Sequence, residues 1–232
     1  MQNLVSRASW LCVALLCASL SIIAMRWTVG ALELQVVKAE LKKITALRAV
    51  PDLSMVAERL DSAARRQPLN ADFYGAQGFV RSLVTTAPES LRYTTTPDLP
   101  DAASAARVYR KALIARPHSG HLWALYAEAL YASEGATDTL RHALERCATL
   151  APLQHAVIVR ELVIMRQMTL SDIALRPAEQ NRLRELLTLL AARSKKQLSA
   201  IIGSPETAAS LLKYTADPDI ATWLQDRASV VQ

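Results

Sequence analysis

Hydrophobic positions along this chain follow two different patterns. From Ala8 to Met25 the sequence ASWLCVALLCASLSIIAM carries no charge, whereas further on apolar residues recur at steps of three and four between polar ones. As a helix the first stretch spans about 27 Å, close to the hydrocarbon thickness of a bilayer. It predicts a transmembrane helix. Trp10 and Trp27 flank it where indole rings sit well between headgroups and acyl chains. The competing readings are a cleaved secretory signal and a buried core helix. The signal is disfavoured because Ile22-Ile23-Ala24 places a bulky residue where a small one is needed, and Val29-Gly30-Ala31 lies beyond Arg26. Residues 1–31 therefore read as a short tail plus anchor, with membrane contact over 8–31.

Beyond the anchor, Leu34, Val37, Leu41 and Ile44 form one stripe, predicting a stalk helix over 32–50 that Pro51 ends. The stripe suits either a coiled-coil seam of about two heptads or packing onto the next helices, and the second is expected. Three later segments, VAERLDSAARRQP, AARVYRKALIARP and LRHALERCATLAP, align on Pro68, Pro117 and Pro152. Each has a bulky residue eight before the proline (Leu60, Tyr109, Leu144) and a small one five before it (Ala63, Ala112, Cys147). A small residue lets a neighbouring helix approach, a bulky one fills the gap, and proline closes the helix.

These segments resemble the second helix of a tetratricopeptide repeat, whose period is about 34 residues. Tyr74 with Gly78, and Trp123 with Ala127, match the aromatic and small positions of its first helix. The fold class this implies is all-α, with a transmembrane helix followed by a degenerate solenoid of antiparallel helix pairs over 51–152. The chain departs from the family at Leu140, where a small residue is usual, and by a long Pro- and Thr-rich insertion at 85–101. The resemblance implies a concave face lined by first helices, carrying Asp72, Gly75 and Phe79, then His121, Ala124, Glu128 and Tyr131. Aromatic anchors on such a face suit a peptide or partner helix. The alternative is that Phe79 and Tyr131 are inter-helix core. Arg92 and Tyr93, central in the insertion, are further partner-binding candidates, because long loops often carry function.

Residues 153–232 read as a helical extension: HAVIVRELVIMRQ, one long helix over PAEQNRLRELLTLLAARSKKQLSAII, then PETAASLLKY and PDIATWLQDRA. Ser204 and Asp217 are predicted N-caps, each followed by proline and an acid. In the long helix Leu183, Leu186, Leu187, Leu190, Leu198 and Ile201 define a buried face. Arg182, Arg184, Arg193, Lys195 and Lys196 are expected on a solvated one.

Composition changes this picture little. Abundant Ala and Leu with only 6 Gly support helices. The net charge of +6 is scattered, so no nucleic-acid partner is expected. Cys147 stands alone outside the anchor, where Cys12 and Cys17 lie, which excludes a disulfide within the rest of the chain and makes a small core residue of Cys147. No phosphate loop, nucleophile elbow or zinc motif is present, so no cofactor, metal or catalysis is expected. The alternative is a small anchored hydrolase or metal-dependent enzyme using the region from His118 to Glu128, where His118 and His121 flank a turn. ARPHSGHLWA from Ala115, and LAPLQHAVIVRELVIMRQ from Leu150 with the Arg- and Leu-rich helix after it, resemble the VpsP family of bacterial exopolysaccharide biosynthesis proteins. That resemblance implies a non-catalytic scaffold or adaptor in an envelope assembly. Its expected setting is the inner membrane, single-pass, with protein partners and a periplasmic soluble part.

Overall fold

A computed structural model describes residues 16–25, scattered positions between 28 and 39, and residues 53–68, 70–86 and 102–229. The described residues are helical throughout, with no strand among them. The protein is all-α. The chain divides into two compact units, Met1–Ala115 and Arg116–Gln232, and the division falls at the second of the aligned prolines.

In the first unit, α1 (Leu53–Arg66), α2 (Ala71–Thr86) and α3 (Ala102–Ala115) pack with α2 against both neighbours. Val56, Leu60, Ala63, Ala64, Phe73 and Val80 form one core cluster. Gly78 shows why the repeat wants a small residue. A Cβ there would lie 2.5 Å from the Tyr109 ring, so the aromatic of α3 rests on bare backbone of α2. The insertion predicted from Thr85 starts slightly later, because α2 runs to Thr86. Helix ends commonly differ from sequence expectation by a residue or two. Arg92 and Tyr93, and the stripe Leu34, Val37, Leu41 and Ile44, lie outside the described residues.

In the second unit, α4 (Gly120–Glu134), α5 (Asp138–Leu150), α6 (His155–Leu170), α7 (Pro177–Arg193), α8 (Lys195–Ile202), α9 (Pro205–Leu212) and α10 (Pro218–Ala228) follow in order. Helix α4 packs on α5 and α6, α6 on α7 and α9, and α10 on α9 and α7. Side chains cap most of these helices. Ser119 accepts from the Leu122 amide, Thr137 from Leu140, Ser204 from Thr207, and Asp217 from both Asp219 and Ile220. Each cap satisfies an amide that the helix cannot. Gly135 ends α4 at φ 73 and ψ −150, a conformation essentially closed to side chains.

The residues aligned on the three prolines are all core: Leu60, Tyr109 and Leu144 are buried, as are Ala63, Ala112 and Cys147. Leu140, which departs from the small-residue pattern, is buried as well. The long helix expected after Pro177 is two helices. Ser194, at φ −161 and ψ 90, is extended and accepts the Gln197 amide, so it closes α7 and caps α8 at once. The bend shifts the buried face, placing Ile202 rather than Ile201 in the core. A hydroxyl between two helix-period runs carries this break.

No helix among the described residues is long and apolar enough to cross a membrane. The described part of the apolar run, residues 16–25, is helical and about 15 Å long. Leu16, Leu20, Ile22, Ile23 and Met25 are all exposed along it.

Candidate functional site

The sequence points to one face of α4, and helical spacing explains why: His121, Glu128 and Tyr131 follow at steps of seven and three, which lie on one stripe. All three are half-buried. Ala124, expected with them at the surface, is 1% exposed and belongs to the core. It sits on the side of the stripe that meets the packed neighbours of α4. From α6, Arg160 reaches across and pairs with the Glu128 carboxylate.

The same guanidinium acts on His121. Burial, and then the positive charge of Arg160, hold the His121 imidazole below its usual value. It is therefore neutral at physiological pH, and its Nδ1 is buried with no hydrogen-bond partner. Tyr131 completes the stripe. The face thus offers a neutral imidazole, an ion pair and a phenol, which can bind a partner's polar and aromatic groups. His118, exposed at the preceding turn, is not joined to it by any hydrogen bond. Among the described residues no group of three or more His, Cys, Asp or Glu is placed to hold a metal ion.

In the first unit, Asp72 is exposed in the first turn of α2, while Phe79, seven residues on, is half-buried. Both stand on one stripe of α2 by spacing. Gln77, between them, bonds to Asp61 of α1.

Two clusters escape a reading by sequence. The first is on α4 and α5. Trp123 Nε1 donates to the Pro117 carbonyl at 2.8 Å, and its ring meets Tyr126 and His142 edge-on at 6.1 and 5.8 Å. The Arg146 guanidinium lies 5.9 Å from the same ring. The pairs 123/126 and 142/146 have facing helical spacing, which is the signal for each half, but only packing of α4 on α5 joins them.

The second cluster is closed. Glu161 of α6 is fully buried, with Cys147 of α5 donating to Oε1 at 2.9 Å and Arg182 of α7 donating to Oε2 at 2.6 and 3.0 Å. Arg182, expected on a solvated face, has a side chain only 11% exposed. It is drawn in because an unpaired carboxylate beneath it would be intolerable. Arg182 also bonds Glu185 and the Pro152 carbonyl. Burial pushes the Cys147 thiol far up, and the adjacent Glu161 charge adds to this, so it stays a protonated donor. Burial likewise raises Glu161, an effect that Cys147 and Arg182 partly offset. A thiol held in this way is a structural donor and no nucleophile.

Set against known proteins, the chain matches no family model and no curated protein.

Proposed function

We propose that this protein is a membrane-anchored, non-catalytic scaffold whose helix pairs present a protein-binding face, acting in a bacterial envelope assembly of the exopolysaccharide type. The observation that carries the reading is the apolar helical segment at 16–25, which leaves Leu16, Leu20, Ile22, Ile23 and Met25 uncovered by the rest of the chain. Two hydroxyls, one within it and one three residues beyond it, are bonded back to its backbone. Ser21 Oγ donates to the Cys17 carbonyl at 2.8 Å and Thr28 Oγ1 to that of Ala24 at 2.9 Å. Hydroxyls bonded back in this way can enter hydrocarbon without a lost hydrogen bond.

The tetratricopeptide-like reading draws support from the burial of the aligned bulky and small residues and from the contact of Tyr109 on Gly78. Partner binding is assigned to His121, Glu128 and Tyr131 on α4, with Asp72 and Phe79 on α2 and Arg92 and Tyr93 in the insertion. The envelope pathway rests on the family resemblance in the sequence, and the periplasmic side on the short charged tail before the apolar run, which is how export signals begin.

A reporter fused after Gln232, active only outside the cytoplasm, tests the topology, together with mass measurement of the N-terminus. The expected result is an external C-terminus with the N-terminal segment retained. A cytoplasmic C-terminus overturns the periplasmic assignment, and a chain that washes from membranes with alkali overturns the anchor. Photocrosslinkers at Phe79 and Tyr131 should then capture a common partner in cells; capture at neither position overturns the binding face.

A further inference from the structure

Close packing leaves few voids larger than a water molecule in a folded domain, so an unfilled one calls for a reason. In the second unit a cavity of about 180 Å³ lies where the end of α7, the start of α8 and the start of α10 meet. Two small residues open it. Ala191 and Ala192 stand on its wall where the leucine pattern of α7 gives out, just before the break at Ser194. Leu198 of α8 and Ile220 of α10, both core residues, also reach it, and Trp223 completes an apolar lining. The Arg227 guanidinium lies 4.8 Å from the centroid of the Trp223 ring and steadies that wall. The space suits a small apolar group, since a cavity of about 150 Å³ is enough to take benzene.

The mouth is charged. Thr188, Ala192, Lys195 and Asp219 line the cavity and are exposed, so it opens to solvent. Asp217 lines it too, but its carboxylate is committed to capping α10. The Lys195 ammonium and the Asp219 carboxylate differ from it. Neither forms an ion pair among the described residues, and although both line one mouth they do not pair with each other. An apolar lining with a few polar groups at fixed points is the usual form of a small-molecule site. A hydrocarbon would gain nothing from either charge here, and an amine or an acid would gain from only one. A ligand that uses the whole arrangement carries an ammonium, a carboxylate and an apolar group on one small frame.

We infer that this cavity binds a free α-amino acid with an apolar side chain, of the size class of leucine and phenylalanine. The side chain enters against Leu198, Ile220 and Trp223, the α-ammonium turns to Asp219 and the α-carboxylate to Lys195. The site is separate from the partner-binding face on α4 and does not rest on it.

The test titrates L-phenylalanine and L-leucine into the full chain in detergent micelles, read by saturation-transfer NMR and calorimetry. Both should bind saturably, and glycine, which has no side chain, should not bind. Phenylalaninamide lacks the carboxylate and N-acetylphenylalanine lacks the ammonium. Each should bind about tenfold more weakly than phenylalanine, the loss expected for one hydrogen bond between charged groups. Lys195→Met should abolish the preference for phenylalanine over its amide, and Asp219→Asn the preference over the acetylated form. Both side chains are exposed, so the helical circular dichroism should persist. Ala192→Phe, which fills the cavity with its own ring, should remove binding altogether. No binding of either amino acid overturns the inference. Blocked forms that bind as tightly as phenylalanine overturn the zwitterionic ligand, and affinities unmoved by all three substitutions overturn the location. Phenylalanylglycine binding more tightly than phenylalanine would mean a peptide terminus and overturns the free amino acid.

Discussion

Helix α6 carries two acid–arginine pairs that differ in one respect. Glu161 meets Arg182 with exposures of 0% and 11%, while Arg160 meets Glu128 with 26% and 44%. The chemistry is the same and the solvent is not. In the first pair the Glu161 carboxylate depends on Arg182, because water cannot reach it, while Arg182 has Glu185 as a second carboxylate partner. In the second, water competes throughout, so the pair contributes little to stability and its groups remain free to exchange partners. The molecule thus uses one ion pair to hold α5, α6 and α7 together and leaves the other on the face proposed for binding.

The sharpest way to break this contrast is Arg182→Met, which strands the Glu161 carboxylate. Urea unfolding should show a loss of about 3–5 kcal/mol. Adding Glu161→Gln to the same chain should recover much of that loss, because the stranded charge is gone. Failure to recover would mean that Arg182 matters through packing alone.

Next in size is Cys147→Ala, which removes one donor from Glu161 without adding bulk. It should cost about 1–3 kcal/mol. Because burial holds the folded Glu161 above its unfolded value, its contribution to stability is fully present below that unfolded value, near pH 4.5, and is lost as pH rises through the raised folded one. Losing the thiol should steepen that decline, and stability measured from pH 4 upward checks it.

On the open side the effects shrink. A double-mutant cycle on Glu128→Gln and Arg160→Met should give a coupling of about 0.2–1 kcal/mol, a small fraction of the Arg182 effect. A coupling equal to that of the buried pair would erase the distinction. His121 gives the smallest effect and the opposite sign. Its depressed value means that its contribution is present above about pH 6.5 and is lost as pH falls through the lower folded value. His121→Gln should flatten that limb, and partner capture through Tyr131 should fade over the same range.

What could be read from the sequence followed local rules. The proline-aligned residues, the caps at Ser204 and Asp217 and the core role of Cys147 each depend on positions within a turn or two of one another. The break at Ser194 was missed because the leucine pattern runs straight across it, and only backbone direction distinguishes a capping serine from a tolerated one. Arg182 was missed for a different reason. Its partner Glu161 lies on another helix, and nothing in HAVIVRELVIMRQ marks one glutamate as buried. The same distance hides Arg160 from Glu128, so the stripe on α4 was legible while its charge balance was not.

The bare backbone at Gly78 also offers a switch for genetics. Gly78→Leu would collide with Tyr109 of α3 and should disable the first unit, while its wedge lies among residues of that unit alone. Paired with a matching lesion at Gly120, where a Cβ would meet Ala151 of the second unit at 2.4 Å, it gives two point alleles that separate the duties of the two halves without deleting a residue.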